Sequence, residues 1–176
     1  DGIIMGSHTV DTLDYLSPTL PIVALDRTFT NNIPFVTSDN YHGGILATNL
    51  LIDRGCKKIA HISGPLEINT PANKRYQAFM DVVLARKVKF VIKQAKLDIF
   101  EGYEKLACKL FEEHPDIDGV FASSDMIAAS IIHVANLIGK DITKDLRIVG
   151  YDDINIASLI VPPLTTIKQP IENMGE

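Results

Sequence analysis

The sequence predicts an α/β protein built on a doubly wound parallel sheet of the Rossmann-like class. From residue 58 to 151, segments alternate in the order strand, helix, strand, helix, strand, helix, strand. Several short segments are also continuously apolar and β-branched, as expected for strands buried on both faces of a sheet. The predicted strands are 2–5, 22–25, 35–37, 58–63, 89–94, 119–123, 147–151 and 164–169.

Residues that typically begin or end helices mark the limits of two of the predicted helices. Helix 45–52 is predicted to close at Gly55 and helix 125–138 at Gly139, because glycine readily adopts the left-handed conformation that ends a helix. Asp125 is the predicted N-cap of the second helix, since its carboxylate can accept from the first free backbone N–H groups.

Two further helices are predicted from their apolar spacing. The first is expected to start at Thr70-Pro71, which offers a capping hydroxyl followed by proline at the first helical position. The second ends at His114-Pro115. In both, apolar residues recur at the i, i+3, i+4, i+7 and i+8 spacing of one helix face: Tyr76, Phe79, Met80, Val83 and Leu84 in the first, and Tyr103, Leu106, Ala107, Leu110 and Phe111 in the second.

The first 38 residues depart from this regular alternation. They hold three predicted strands but one short helical stretch, near residues 10–16. The link from Leu25 to Phe35 is too short for the crossover of a dozen or more residues that parallel strands usually need. We therefore assign this part of the chain to a second lobe whose opening units lie outside the sequence.

Composition narrows the class of protein. The net charge is −5 and the basic residues are scattered, so this chain lacks the clustered Lys and Arg of a nucleic-acid surface. No apolar run approaches the 18 residues of a membrane span. Cys56 and Cys108 are far apart and match no metal or redox spacing, which is typical of reduced thiols in a cytosolic protein.

Polar residues follow nearly every predicted strand. In a doubly wound sheet the ligand lies beyond the carboxyl ends of the strands, so these residues are expected to meet in a cleft. A role in a turn or a helix cap could explain the polar residue at any one strand end. Such roles explain less well why polar residues follow nearly all of the strands. The residues at these strand ends, of which Leu97 alone is apolar, are Asp26, Arg27, Asn69, Thr70, Arg75, Lys96, Leu97, Ser123, Ser124, Asp125, Asp152 and Asp153.

The predicted cleft lacks a reactive centre. The sequence has no GxGxxG, no GxxxxGK[ST] and no GxSxG motif, and its five histidines have no metal-ligand spacing. We therefore predict no catalytic residue, no metal and no cofactor. Carboxylates and an arginine instead suit a neutral polyhydroxylated ligand, because they accept from and donate to its hydroxyl groups.

Six blocks of this sequence occur in the same order as similar blocks in one known family. They are "VALDR" (23–27), "TSDNYHGGILATNLLIDRGCKKIAHISGP" (37–65), "KRYQAF" (74–79), "ASSDMIAA" (122–129), "IVGYDD" (148–153) and "PPLTTIKQP" (162–170). Together they resemble the effector-binding core of LacI/GalR-type transcriptional repressors and, more weakly, the related periplasmic sugar-binding proteins. The opening residues, 1–16, look more like the sugar-operon branches, such as those for sucrose or ribose.

The resemblance implies two Rossmann-like lobes with a small-molecule effector, a sugar or sugar phosphate, between them. Residues 1–39 and 168–176 would form an incomplete N-terminal lobe, and residues 40–167 the C-terminal lobe. A helix-turn-helix headpiece outside this chain would contact operator DNA. The resemblance further implies a cytoplasmic homodimer that is no enzyme and does not contact a membrane.

Site residues follow from the same resemblance. Asp26 and Arg27 look like effector contacts of the N-terminal lobe, and Arg75 looks like the family's sugar- or purine-contacting arginine. Asp152 looks like the carboxylate that holds ligand hydroxyls. Three further positions correspond to family contacts: Thr70, Ser124 and Gln169.

Two positions depart from the family pattern. Ser124 stands where many members have asparagine, and Leu97 stands where sugar or purine binders often carry a stacking aromatic ring. Both departures leave the particular sugar open. A transport receptor of the same fold and a purine-responsive repressor remain alternatives, and an enzyme on a Rossmann-like sheet is a third.

Overall fold

A computed structural model describes residues 2–6, 19–29, 33–95 and 100–176. The predicted helix near residues 10–16 lies outside these ranges. Within them, strands and helices follow in the order β1 (Ile3–Met5), β2 (Ile22–Leu25), β3 (Phe35–Val36), α1 (Asn40–Asp53), β4 (Lys58–Ser63), α2 (Asn73–Ala85), β5 (Lys89–Gln94), α3 (Phe100–Glu113), β6 (Gly119–Ala122), α4 (Asp125–Leu137), β7 (Arg147–Asp152), α5 (Ile156–Leu159), β8 (Thr165–Lys168) and α6 (Ile171–Gly175).

The larger sheet has five strands in the order β5-β4-β6-β7-β8, and all of its pairs are parallel. This confirms the doubly wound parallel sheet. The chain runs outward from β4 to β5 and then returns to β6 on the other side of β4. The strand order therefore reverses between β4 and β6, where a crevice opens at the carboxyl ends of the strands.

The smaller sheet contains β1, β2 and β3, which also pair in parallel. The expectation that the link from Leu25 to Phe35 is too short for a parallel connection is wrong. Only two residues of β3 pair with β2, so the link has to return along a very short strand. An extended chain covers about 3.3 Å per residue, so a link of the length of residues 26–34 is long enough for that return.

Two apolar clusters cover the two faces of the larger sheet. Ile62 and Val120 pack with α3 and α4 on one face, whereas Ile59 and Phe121 pack with α1 and α2 on the other. Both faces of β4 and β6 are therefore buried, which explains why these strands read as continuously apolar. Cys56 is buried beside the second cluster, Cys108 is exposed, and both are free thiols.

Helix α1 begins earlier than its apolar spacing predicts. Asp39 is the N-cap and accepts from the backbone N–H of His42 at 2.9 Å. The helix then runs through Gly43 and Gly44, which the pattern leaves unassigned because glycine disfavours helix interiors. A Cβ on Gly43 would meet the Tyr151 ring, so glycine is required for α1 to lie against β7.

Two predicted helix N-caps are wrong, by two residues in α2 and by one in α4. Helix α2 begins at Asn73 with Ala72 as its N-cap, rather than at Pro71 with Thr70 as the cap, and the Thr70 hydroxyl donates to the Asn73 side-chain oxygen at 3.2 Å. In α4 the N-cap is Ser124, whose hydroxyl accepts from the Ile127 N–H, and Asp125 is already helical. Tertiary contacts decided the second case, because both Asp125 oxygens accept hydrogen bonds from neighbouring segments.

Candidate functional site

A cavity of about 200 Å³ lies at the carboxyl ends of β4 and β6, where the strand order reverses. The smaller sheet contributes two residues to it, just after β2. The larger sheet and the segment before α2 contribute the rest of the lining. The polar residues that line it are Asp26, Arg27, His61, Ser63, Thr70, Asn73 and Ser123.

Asp26 and Arg27 reach the cavity at the end of β2. Asp26 has φ +52°, a left-handed conformation that costs free energy for a residue with a side chain. Its carboxylate accepts from the Thr37 hydroxyl at 2.8 Å. Arg27 is buried, and its guanidinium lies 5.4 Å from the Phe29 ring. The strained turn after β2 thus places two charged residues, Asp26 and Arg27, in the lining of the cavity.

Arg75, on the first turn of α2, is buried at the centre of a hydrogen-bond network. Its Nε donates to the Asn40 side-chain oxygen at 2.7 Å, and its Nη1 donates to the Ser123 carbonyl at 2.6 Å. The guanidinium also lies 3.5 Å from the centre of the Tyr151 ring. Arg75 is therefore held in place by its neighbours and is not a solvated residue of the helix surface.

Asp152 connects the network to the end of β8. Its carboxylate lies 3.4 Å from the Arg75 Nη1 and accepts from the Gln169 amide at 2.6 Å. The Ser38 hydroxyl donates to the Gln169 side-chain oxygen at 3.1 Å. Residues at or just after the ends of β3, β7 and β8 are therefore joined in one chain of hydrogen bonds, which links the two sheets.

Both the backbone conformation of Asp152 and the burial of its carboxylate are unfavourable. Its φ of +108° lies in a region that side chains rarely adopt. Burial raises the pKa of its carboxyl group, and the Arg75 charge and the Gln169 amide oppose that rise. A ligand that donates hydroxyl groups to this carboxylate would supply partners that burial has removed. Asp153, its neighbour, is exposed, and its backbone N–H donates to the Thr166 hydroxyl at 3.4 Å.

The eight residues expected to contact ligand fall into separate groups. Asp26, Arg27 and Thr70 line the cavity. The other charged and amide residues of the set belong to the hydrogen-bond network around Arg75. Ser124 is engaged as a helix cap. Leu97 lies outside the described residues. The network residues are Arg75, Asp152 and Gln169.

Sequence reasoning missed several polar residues that shape the site. Asn40 orients Arg75, and Tyr151 forms the surface on which the Arg75 guanidinium stacks. Asp125 was expected at the cleft as a helix cap, but it is fully buried, and its carboxylate accepts from the Thr166 hydroxyl at 2.6 Å and the Ile154 N–H at 2.9 Å. His61 and Ser63, which line the cavity, were also missed. The signal that could have found them is the alternation along β4, because the two residues share one face of that strand.

A second cavity, of about 270 Å³, lies at the opposite edge of the sheet. It is lined largely by apolar residues near the amino ends of β7 and β8 and the end of α1, including Leu50, Ile148 and Pro163. None of the expected contact residues lines it. The described residues hold no group of three or more His, Cys, Asp or Glu side chains that could share a metal ion.

His61 is fully buried on β4, and this should make the stability of the fold depend on pH. Burial, together with a smaller contribution from the Arg75 charge, lowers the pKa of His61 from 6.5 to about 3, and a hydrogen bond to the Phe121 carbonyl opposes this shift. The unfolded chain therefore takes up a proton on His61 near pH 6.5, whereas the folded chain does not. Stability is lost as pH falls below 6.5, by about 2 kcal/mol at pH 5 relative to pH 8.

This dependence can be measured by urea unfolding at pH 5 and pH 8. In His61→Phe the difference between the two pH values should shrink by about 2 kcal/mol. His133→Gln, at an exposed histidine of α4, is the control and should change the difference little. An unchanged difference in His61→Phe would show that His61 is not the group responsible.

The fold and the cavity define a class of protein. A parallel α/β sheet with charged, strained residues at its switch point is a small-molecule binding domain. The chain belongs to the periplasmic binding protein-like domain family, whose profile matches residues 48–176. In the part of the chain that the structure describes, no helix is both long and apolar enough to cross a bilayer.

Several relatives are regulators of sugar operons. The chain is 43% identical to the ribose operon repressor of Halalkalibacterium halodurans, over 99% of this chain and 52% of that protein. It is 37% identical to the sucrose operon repressor of Lactococcus lactis subsp. lactis, over 100% of this chain and 54% of that protein. The chain thus spans about half the length of the curated relatives it matches.

A solved structure supports the same relationship. A periplasmic binding protein/LacI transcriptional regulator from Alkaliphilus metalliredigens, complexed with D-xylulofuranose, superposes with a TM-score of 0.86 at 31% identity. The match covers 98% of this chain and 64% of that one. The predicted resemblance to the effector-binding core of LacI-type repressors is confirmed.

Proposed function

We propose that this chain is the effector-binding region of a sugar-responsive transcriptional regulator. A small carbohydrate would bind in the cavity at the ends of β2, β4 and β6. The observation that carries the proposal is the joining of Arg75, Asp152 and Gln169 into one network beside this cavity. The ribose and sucrose operon repressors among its relatives support a carbohydrate as the ligand.

The arrangement suggests how binding could be transmitted. Ser38, after β3, and Gln169, after β8, are hydrogen-bonded to each other, so a ligand that alters this contact changes how the two sheets meet. Such a hinge movement requires that the ligand bind one arrangement more tightly than the other. In the cytoplasmic homodimer that we propose, with residues 1–39 and 168–176 in one lobe, this movement would reposition helix-turn-helix headpieces on operator DNA. We propose no catalytic role.

The proposal predicts that a sugar stabilises the full-length polypeptide. D-Ribose, sucrose, ribose 5-phosphate and hypoxanthine would be compared by thermal shift and calorimetry. A ligand at 100 times its Kd adds about 2.7 kcal/mol of stability. Stabilisation by a sugar supports the proposal, and stabilisation by hypoxanthine alone would favour a purine-responsive regulator instead.

A matched pair of variants tests the site. Asp152→Asn should weaken sugar binding by tenfold or more, because hydrogen bonds to a charged group contribute about 1.5–3 kcal/mol each. Asp153→Asn, at its exposed neighbour, should leave affinity unchanged. Equal affinity in both variants would remove Asp152 from the site. A sugar-sensitive gel shift with the DNA upstream of the gene would separate a regulator from a transport receptor.

A further inference from the structure

Two buried polar side chains on β4 lack partners and line the same cavity. His61 is fully buried and Ser63 is 3% exposed. The His61 Nε2 and the Ser63 hydroxyl have no hydrogen-bond partner among the described residues. Buried polar atoms are almost always paired, so two unpaired ones beside a cavity indicate that something in the cavity pairs with them.

The contacts of His61 determine which hydrogen-bonding group its ring presents to the cavity. Its Nδ1 lies 3.0 Å from the Phe121 carbonyl oxygen, which can only accept, so Nδ1 carries the proton. Burial keeps the ring neutral by lowering its pKa to about 3. Its centroid lies 5.0 Å from that of Phe79 and 4.7 Å from that of Phe121, which fixes its orientation. The remaining nitrogen, Nε2, is a hydrogen-bond acceptor.

Ser63 stands two residues further along β4, on the same face of the strand. Two residues of strand rise by about 6.6 Å, so the two side chains do not satisfy each other. The Ser63 hydroxyl can both donate and accept. The pair therefore offers an acceptor and a donor–acceptor at the carboxyl end of β4, where the proposed ligand would lie.

These groups limit the chemistry of the partner. A group facing the His61 Nε2 must carry a proton, so an ionised phosphate or carboxylate does not suit it. A cation is disfavoured beside His61, because the Arg75 charge acts on that ring and Arg27 lines the cavity, where it offsets the charge of Asp26. A neutral hydroxyl meets both conditions.

We propose that His61 and Ser63 form a hydroxyl-binding subsite of the cavity. One ligand hydroxyl donates to the His61 Nε2, and the Ser63 hydroxyl bonds to the same or a neighbouring hydroxyl. The inference rests on the proposed function, and it specifies that an unphosphorylated, hydroxyl-bearing part of the carbohydrate faces β4. A phosphate group, if present, would lie away from this strand.

Calorimetry with D-ribose and with sucrose on the full-length polypeptide tests the subsite. Ser63→Ala and His61→Phe should each weaken binding of the sugar that binds by about tenfold to a hundredfold. Ser130→Ala is the matched control: its hydroxyl bonds to the Met126 carbonyl within α4, and affinity should stay within twofold. Without sugar, Ser63→Ala should melt no lower than the wild type, because the deleted hydroxyl had no partner.

Other outcomes would overturn the subsite. If Ser63→Ala melts lower without sugar and keeps its affinity, the hydroxyl serves an internal water and not the ligand. If Asp152→Asn loses binding while Ser63→Ala and His61→Phe stay within twofold of wild type, the proposed function stands and the subsite fails. If neither sugar binds the wild type, both fail. If His61→Phe does not fold, Ser63→Ala decides alone.

Discussion

Replacement of Arg75 by alanine is expected to lower the free energy of unfolding by about 3 kcal/mol and to abolish sugar binding. Arg75 is buried, and its loss leaves the Asn40 oxygen and the Ser123 carbonyl without their donor. It also leaves the Asp152 carboxylate without its cation. Removing one partner of a buried ion pair costs about 3–5 kcal/mol. We take the lower value, because the Asp152 side chain is 26% exposed.

Arg86→Ala is the matched control for this change. Arg86 ends the same helix, α2, and its side chain is 48% exposed, with an ion pair to Asp53 at 3.0 Å. An exposed pair of this kind contributes about 0–1 kcal/mol. Urea unfolding and sugar calorimetry on both variants make the comparison. An equal loss of stability in the two would show that the Arg75 network contributes nothing beyond an ordinary surface pair.

Gly44→Ala is expected to destabilise the fold by about 2–3 kcal/mol, although alanine favours helices over glycine. A Cβ on Gly44 would lie 2.8 Å from the Ala78 Cβ and 2.9 Å from the Arg75 carbonyl oxygen. The second contact is with backbone, so helices α1 and α2 would have to separate. Because Arg75 is on α2 and is held by Asn40 on α1, this separation should also weaken sugar binding.

Thermal unfolding measures this effect against a second helical glycine. Gly175, in α6, has open space where a Cβ would stand, so Gly175→Ala should leave the melting temperature nearly unchanged. For a chain of this size, 2–3 kcal/mol corresponds to a fall of about 5–10 °C in Gly44→Ala. A melting temperature at or above that of the wild type would mean that α1 and α2 can move apart without cost.

Much of the larger sheet could be predicted from local pattern. The predicted strand 58–63 agrees with β4, which is buried along most of its length, and 89–94 agrees with β5, an edge strand whose apolar run Phe90–Ile92 lies between polar ends. The start of α1 could not be predicted in this way. Gly43 and Gly44 are unfavourable within a helix locally, and they are required by close contacts with β7 and α2.

The sequence predicted the position of the candidate site better than it predicted the contacts and conformations of its residues. Arg75 and Asp152 were selected through a family resemblance and through their location after strands, and the structure brings them within 3.4 Å of each other. Their burial, the ring of Tyr151 beneath the arginine and the positive φ of Asp152 depend on which segments pack together. No local pattern carries that information.

The sequence by itself determined the class of fold, the polar ends of its strands and the absence of known catalytic motifs, because these depend on residue type and short-range spacing. Only the tertiary structure decided that Ser124, and not Asp125, caps α4, since Thr166 and the Ile154 N–H claim the Asp125 carboxylate. It also decided that His61 lies beside a cavity as well as among aromatic rings. The physical reason is that a buried polar group is governed by the partners it meets, and those partners come from distant parts of the chain.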